Sequence, residues 1–144
     1  MRAAIYSVSL AALTACAGST GLARCDAGNP EQVCVRLGEP FDVRVGQTAY
    51  VADTRLSIHV DGVPEDSRCP QDVQCVWAGN ARVVLELRDG ENTDTASVSS
   101  TLEPHAVTRW DYRIELVNVE PETTAGQPIP QSEYRVRLLV NRVS

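Results

Sequence analysis

Lysine does not occur in this chain: all thirteen basic side chains are arginine, set against nineteen acids for a formal charge of −6 over 144 residues. An acidic chain without a basic block lacks the clustered cations that neutralise phosphates, which excludes nucleic acid as a partner. Histidine is scarce too, present only as His59 and His105. There is no H-E-x-x-H pair, no G-x-S-x-G elbow and no phosphate-cradling glycine loop, so the common hydrolytic and nucleotide-binding chemistries have no carrier. Met1 is the sole methionine, which removes a Met-rich copper site. Beyond the N-terminus no stretch shows the 3.6-residue apolar period of a helix. Neither an enzyme nor a cofactor is expected.

What is present begins with an address. Arg2 supplies a positive n-region, and Ala3 to Ala12 form an apolar h-region too short to span a bilayer. Leu13-Thr14-Ala15-Cys16 follows. This resembles the lipobox of bacterial lipoproteins, which implies cleavage after Ala15 and lipidation of Cys16. Residues 1–15 are then a signal peptide, and the mature chain carries twelve arginines against nineteen acids, or −7. Several acyl chains, each worth about 0.8 kcal/mol per buried CH₂, hold a protein durably on a membrane. Ala17 at the second position favours the outer membrane under the sorting rule of enteric bacteria. The expected location is the bacterial cell envelope, lipid-anchored to the outer membrane and facing the periplasm.

Five cysteines are an odd number for an exported chain: Cys16, Cys25, Cys34, Cys69 and Cys75. Lipidation of Cys16 leaves four, which allow three connectivities. Local pairing, Cys25 with Cys34 and Cys69 with Cys75, is the simplest, each short loop contributing roughly 2 kcal/mol. Cross-pairing remains open. A metal alternative uses Cys69-x5-Cys75 with His59 or Asp66, but that spacing departs from the common zinc knuckles.

Residues 16–40 read as a lipidated tether with a small disulfide loop, and residues 41–144 as a β domain. Alternation of period two runs through Phe41 to Val45, Thr48 to Val51, Arg55 to Val63, Ala81 to Arg88, Tyr112 to Val117 and Tyr134 to Val140, with a weaker polar strand at Thr93 to Ser100. Asp89-Gly90 marks a hairpin turn. Leu102 to Arg109 looks irregular. The expected fold is all-β, a small antiparallel β-sandwich or barrel of six or seven strands. Outward arginines (Arg44, Arg55, Arg82, Arg113, Arg135, Arg137) suit weak cross-strand ion pairs.

Between two of these strands lies Glu65 to Ala81, which holds two cysteines, Pro70, Trp77 and Gly79. A cross-linked loop of this length is either functional or a structural plug. Trp77 is expected to bury apolar area at the loop's base. The strings Asp66-Ser67-Arg68-Cys69-Pro70 and Cys75-Val76-Trp77-Ala78-Gly79 resemble a family of small bacterial exported and lipid-anchored proteins of uncharacterised function, which carry such a signature between two strands. The resemblance covers roughly Phe41 to the C-terminus. It implies a β domain and brings no catalytic or ligand-binding assignment.

The function expected is a non-catalytic envelope lipoprotein, a binding or structural module. Its candidate interaction loop comprises Asp66, Arg68, Gln71, Asp72, Gln74 and Trp77, with an envelope protein as a possible partner besides the membrane. Rigid loops lose less entropy on binding, and Arg and Trp dominate interface energetics. One alternative is a protease inhibitor that offers loop 66–75 as a substrate mimic, with Arg68 or Gln74 at the scissile position. The other is a metal-binding envelope protein. The adjacent carboxylates Glu65 and Asp66 are the nearest approach to an acid/base pair. Asp61, Glu65, Asp66 and Asp72 lack the ordered spacing of a calcium loop.

Overall fold

Side chains alternate across a strand, so a period-two sequence divides itself into a core face and a solvent face. In the computed structural model, which describes Cys25, residues 28–30 and residues 32–143, that division builds two sheets. The strands are β1 (Gln32–Val35), β2 (Phe41–Arg44), β3 (Thr48–Val51), β4 (Leu56–Asp66), β5 (Ala81–Asp89), β6 (Asn92–Ser99), β7 (Ala106–Arg109), β8 (Tyr112–Glu120) and β9 (Arg135–Arg142). One sheet has the order β1-β3-β4-β5-β6 and the other β2-β9-β8-β7. Both keep free edges, so the architecture is a sandwich and not a closed barrel. Among the described residues no helix is long and apolar enough to cross a membrane.

The core lies between the sheets. Leu56, Ile58 and Val60 of β4, Val83, Leu85 and Leu87 of β5, Ile114 of β8, and Val136, Leu138 and Val140 of β9 are fully buried. These are the apolar faces read from the alternation. Five of the six outward arginines meet acids: Arg55 with Asp89, Arg82 with Glu65, Arg113 with Glu115, Arg135 with Glu120, and Arg137 with Asp42.

Three details correct the sequence reading. There are nine strands, not six or seven: β1 lies in the stretch read as tether, and β7 lies in the stretch read as irregular, where no side chain is buried to mark a core face. Val35 of β1 enters the core. β1 also pairs with β3 in parallel, so the sheets are not purely antiparallel. The third detail is the hairpin turn. Asp89 pairs with Asn92, leaving Gly90-Glu91 as the two-residue loop with φ +64° at Gly90. The loop thus starts one residue later than the expected Asp89-Gly90, and of its two residues only the glycine is left-handed.

The strand directions give the sandwich two unlike ends. β4, β6 and β8 finish at one end, which carries the loops 67–80, 100–105 and 121–134. β1 and β3 start toward that end, through the pairs Gln32–Thr48 and Thr48–His59. The β2–β3 turn at 45–47 also lies there, and the opposite end carries the turns 36–40, 52–55, 90–91 and 110–111 with Val143.

Candidate functional site

Asp66, the last residue of β4, pairs with Ala81, the first of β5, and residues 67–80 project beyond them. The ladder continues into the loop: the Ser67 N–H donates to the Asn80 carbonyl at 2.7 Å and the Cys69 N–H to the Ala78 carbonyl at 2.8 Å. Gly79 permits this close approach. Its φ is +71°, and a Cβ there would stand 1.7 Å from the Ser67 carbonyl oxygen. Cys69 and Cys75 form the disulfide, as do Cys25 and Cys34, so local pairing is the connectivity. As a cystine, Cys69 and Cys75 offer no thiolate to a metal.

Two neighbouring loops clasp this one. The Gln71 N–H donates to the Thr123 carbonyl at 2.9 Å, the Ala125 N–H to Asp72 Oδ1 at 2.9 Å, and Thr123 Oγ1 to the Arg68 carbonyl at 3.2 Å. On the other side Asn80 is buried, and its Oδ1 accepts from the N–H groups of Thr101 (3.0 Å) and Leu102 (3.2 Å).

Beneath the loop sits a buried ionic network. Arg68 donates through Nε and Nη2 to the two oxygens of Asp66 at 2.8 and 2.7 Å. Its remaining N–H groups reach the carbonyls of Val119 (2.5 Å) and Pro121 (2.8 Å). The Tyr134 hydroxyl donates to Asp66 Oδ2 at 2.9 Å. The Arg68 and Asp66 side chains are 12% and 8% exposed. Burial opposes the Asp66 charge, but the bonds from Arg68 and Tyr134 outweigh it and hold the carboxyl below its usual range. Burial and the bond to Asp66 push Tyr134 up to about 12. Gln131 adds a second tie, its amide donating to the Val63 carbonyl and accepting from the Val63 N–H, both at 2.9 Å. Asp66 and Val63 belong to one sheet, while Val119 and Tyr134 lie on or beside strands of the other. The network therefore joins the sheets where their shared core ends.

The six residues proposed for the interaction loop thus separate. Asp66 and Arg68 are turned inward, and Asp72 holds Ala125. The Gln71 backbone holds Thr123, with its amide 3.4 Å from Thr124 Oγ1. Gln74 stays exposed. Trp77 does not seal the loop's base as expected: it is 64% exposed, beside Val76 at 105%. Val73 and Leu102 are also about half exposed. The reason is local. The base of the loop is already filled by Asn80, Arg68 and their partners, which leaves no apolar slot for an indole. The sequence reading missed Asn80, Gln131 and the role of Tyr134, for which no local pattern gives a signal.

The other candidate groups do not converge. Neighbouring residues of a strand point to opposite faces, so Glu65 meets Arg82 at 2.6 Å outside while Asp66 meets Arg68 inside. His59 Nδ1 lies 3.0 Å from Thr48 Oγ1 on the outer sheet face, and His105 Nδ1 lies 2.9 Å from the Ser99 carbonyl. Cys16, residues 1–15 expected as a signal peptide, and residues 17–24 of the expected tether lie outside the described residues. No protein-family profile matches this chain, and no curated protein or solved structure is significantly similar to it.

Proposed function

We propose that the protein is a non-catalytic lipoprotein of the bacterial cell envelope, anchored through Cys16, and that it acts as a binding module whose contact surface is the tip of the stapled loop. One observation carries this reading. The loop is fixed by a disulfide, a clasp and a buried ion pair, yet Trp77, Val76 and Val73 are left in solvent. A pre-organised surface loses little entropy on binding, and an exposed tryptophan is a common energetic anchor. The short apolar h-region ending in Leu13-Thr14-Ala15-Cys16 supports the anchor. Glu65, Asp66, His59 and His105 each meet a different neighbour and do not converge, which supports a non-catalytic reading.

The inhibitor alternative loses its basic scissile residue, because Arg68 is enclosed by Asp66 and two carbonyls and is not free to enter a specificity pocket. Gln74 alone stays presentable.

Two measurements test the proposal together. The intact mass of the membrane-extracted mature protein should show an acylated N-terminal cysteine and, without reduction, four oxidised thiols. A photoreactive residue at Gln74, compared in cells with one at Asn92 on the opposite end, should give a defined adduct at Gln74 only. Equal labelling at both positions, or none at either, removes the loop as the contact surface.

A further inference from the structure

We infer that the outer face of the five-stranded sheet holds a second binding site, for a small zwitterionic α-amino acid whose carboxylate meets Arg88 and whose ammonium meets Glu86. Ala49, Val51, Leu56, Ile58, Leu85 and Leu87 point into the core. Side chains alternate along a strand, so Thr48, Tyr50, Ser57, His59, Glu86 and Arg88 stand on the opposite, solvent face. The registers lay them out in two rows: Thr48, His59 and Glu86 in one, Tyr50, Ser57 and Arg88 in the other. Together they line a hollow of about 200 Å³ over β3, β4 and β5, the middle of the sheet.

The second row makes the hollow. Ser57 is short, whereas Tyr50 and Arg88 on either side of it are long and stand two strand spacings apart, roughly 10 Å. In the first row Thr48 Oγ1 lies 3.0 Å from His59 Nδ1, which fixes the imidazole and leaves its Nε2 unengaged.

Pairing sets Glu86 and Arg88 apart from their neighbours. On the same sheet Glu65 binds Arg82, Asp89 binds Arg55 and Asp94 binds Arg109. Among the described residues the side chains of Glu86 and Arg88 have no partner, although they carry opposite charges two positions apart on one face. The hydroxyls of Tyr50 and Ser57 make no bond within the protein either. Two unpaired opposite charges, rooted roughly 7 Å apart along the strand, suit a ligand that carries both signs on one carbon, and charge-assisted bonds are the strong ones. An anion alone would be repelled by Glu86, and a cation alone by Arg88.

Size narrows the class. At about 30 Å³ for each water-sized group, the hollow takes roughly seven non-hydrogen atoms. An amino acid with a side chain of one or two such atoms fits, and a hexose or a nucleotide does not. The Tyr50 ring can then cover the ligand's side chain, with Ser57 Oγ and His59 Nε2 at hand for a further bond to its charged groups. The hollow on the far side of the pair, toward β6, adds only Thr93, Thr95 and an Asp94 already bound by Arg109.

The test titrates racemic alanine into the nitrogen-15-labelled mature chain and follows the backbone amide resonances. Two charge-assisted contacts at an open site place the dissociation constant on the order of 1 mM. The amides of Ser57, His59, Glu86 and Arg88 should move and saturate. N-acetylalanine, which lacks the ammonium, and alaninamide, which lacks the carboxylate, should each bind at least tenfold more weakly. Glu86→Gln and Arg88→Gln should each weaken alanine binding at least tenfold with the rest of the spectrum unchanged. Amides that stay still at roughly fifty times that concentration overturn the inference. So does equal binding of either blocked derivative, or full affinity in either variant. If a variant loses the native spectrum, the blocked derivatives on the wild-type chain decide the question.

Discussion

Replacing Asp66 by alanine asks whether the buried ion pair holds the loop end of the sandwich together. The carboxylate takes two bonds from Arg68 and one from Tyr134. Without it the guanidinium, 12% exposed, keeps only the carbonyls of Val119 and Pro121. Breaking a buried pair by removing one partner costs about 3–5 kcal/mol. The two carbonyls stay in place, so the lower figure, about 3 kcal/mol, is expected. At roughly 4 °C per kcal/mol for a domain of this size, Tm should fall by about 12 °C. Urea unfolding of the oxidised protein, followed by circular dichroism, measures the loss directly. Asp66→Ala, Arg68→Met and the double variant form a cycle. The double variant should be less destabilised than the sum of the singles, by about 1 kcal/mol or more. A cost below about 1 kcal/mol for Asp66→Ala, or strict additivity, would refute the network as the fastening.

The same group sets a pH dependence with a fixed sign. The folded protein holds the Asp66 carboxyl below its usual range, so the unfolded chain takes up the proton first. The stabilisation is complete above the unfolded value of about 4 and is lost as pH falls through the lower folded value. Asp42 and Asp94 shift the same way through Arg137 and Arg109. The difference between wild type and Asp66→Ala isolates the contribution of Asp66, and it should shrink as pH drops below about 4.

The opposite limb belongs to Tyr134. Its folded pKa of about 12 exceeds the ordinary 10, so the unfolded phenol loses its proton first, and the stabilisation is complete below pH 10 and is lost as pH rises from 10 toward 12. Tyr134→Phe should cost about 1 kcal/mol at neutral pH and flatten that alkaline loss in denaturant titrations. Gly79→Ala places a methyl group against the Ser67 carbonyl at a left-handed φ. It should lower stability by more than about 2 kcal/mol and speed amide exchange in residues 67–80. Replacing Cys69 and Cys75 by serine should cost about 2 kcal/mol in chemical denaturation while the clasp to Thr123 and Ala125 survives in the exchange pattern.

The sheets were legible because the strands are long and strictly alternating. Leu56, Ile58 and Val60 could face only one way, as could Val136, Leu138 and Val140. β7 escaped because none of its four side chains is buried, so no apolar face marks it, and β1 escaped because it carries a disulfide cysteine that reads as tether. The candidate site was legible as a place and not as an arrangement. Its stapling followed from cysteine arithmetic. The direction taken by Arg68 did not, because the carbonyls it donates to lie 51 and 53 residues further along the chain, at Val119 and Pro121. A charge read alone on a loop looks solvated, and only tertiary structure supplies the two carbonyls that enclose it and the Tyr134 hydroxyl that holds its partner Asp66.

That enclosure also accounts for the exposed tryptophan. The shared core ends at Val63, Ala81 and Val119, all buried, and the loop extends past that limit. No apolar slot is available there, so the loop is fastened by polar means: the ion pair, the Asn80 contacts, the clasp and the disulfide. Trp77 takes no part in any of these bonds. Its removal should therefore leave stability within about 0.5 kcal/mol of wild type, whereas a tryptophan serving as a plug would cost 3–5 kcal/mol. Trp77→Ser with an unchanged urea midpoint, combined with loss of the adduct at Gln74, would separate contact from folding in a single variant. A large drop in the midpoint would instead mean that the indole packs against the domain, and the exposed-tip argument would fall with it.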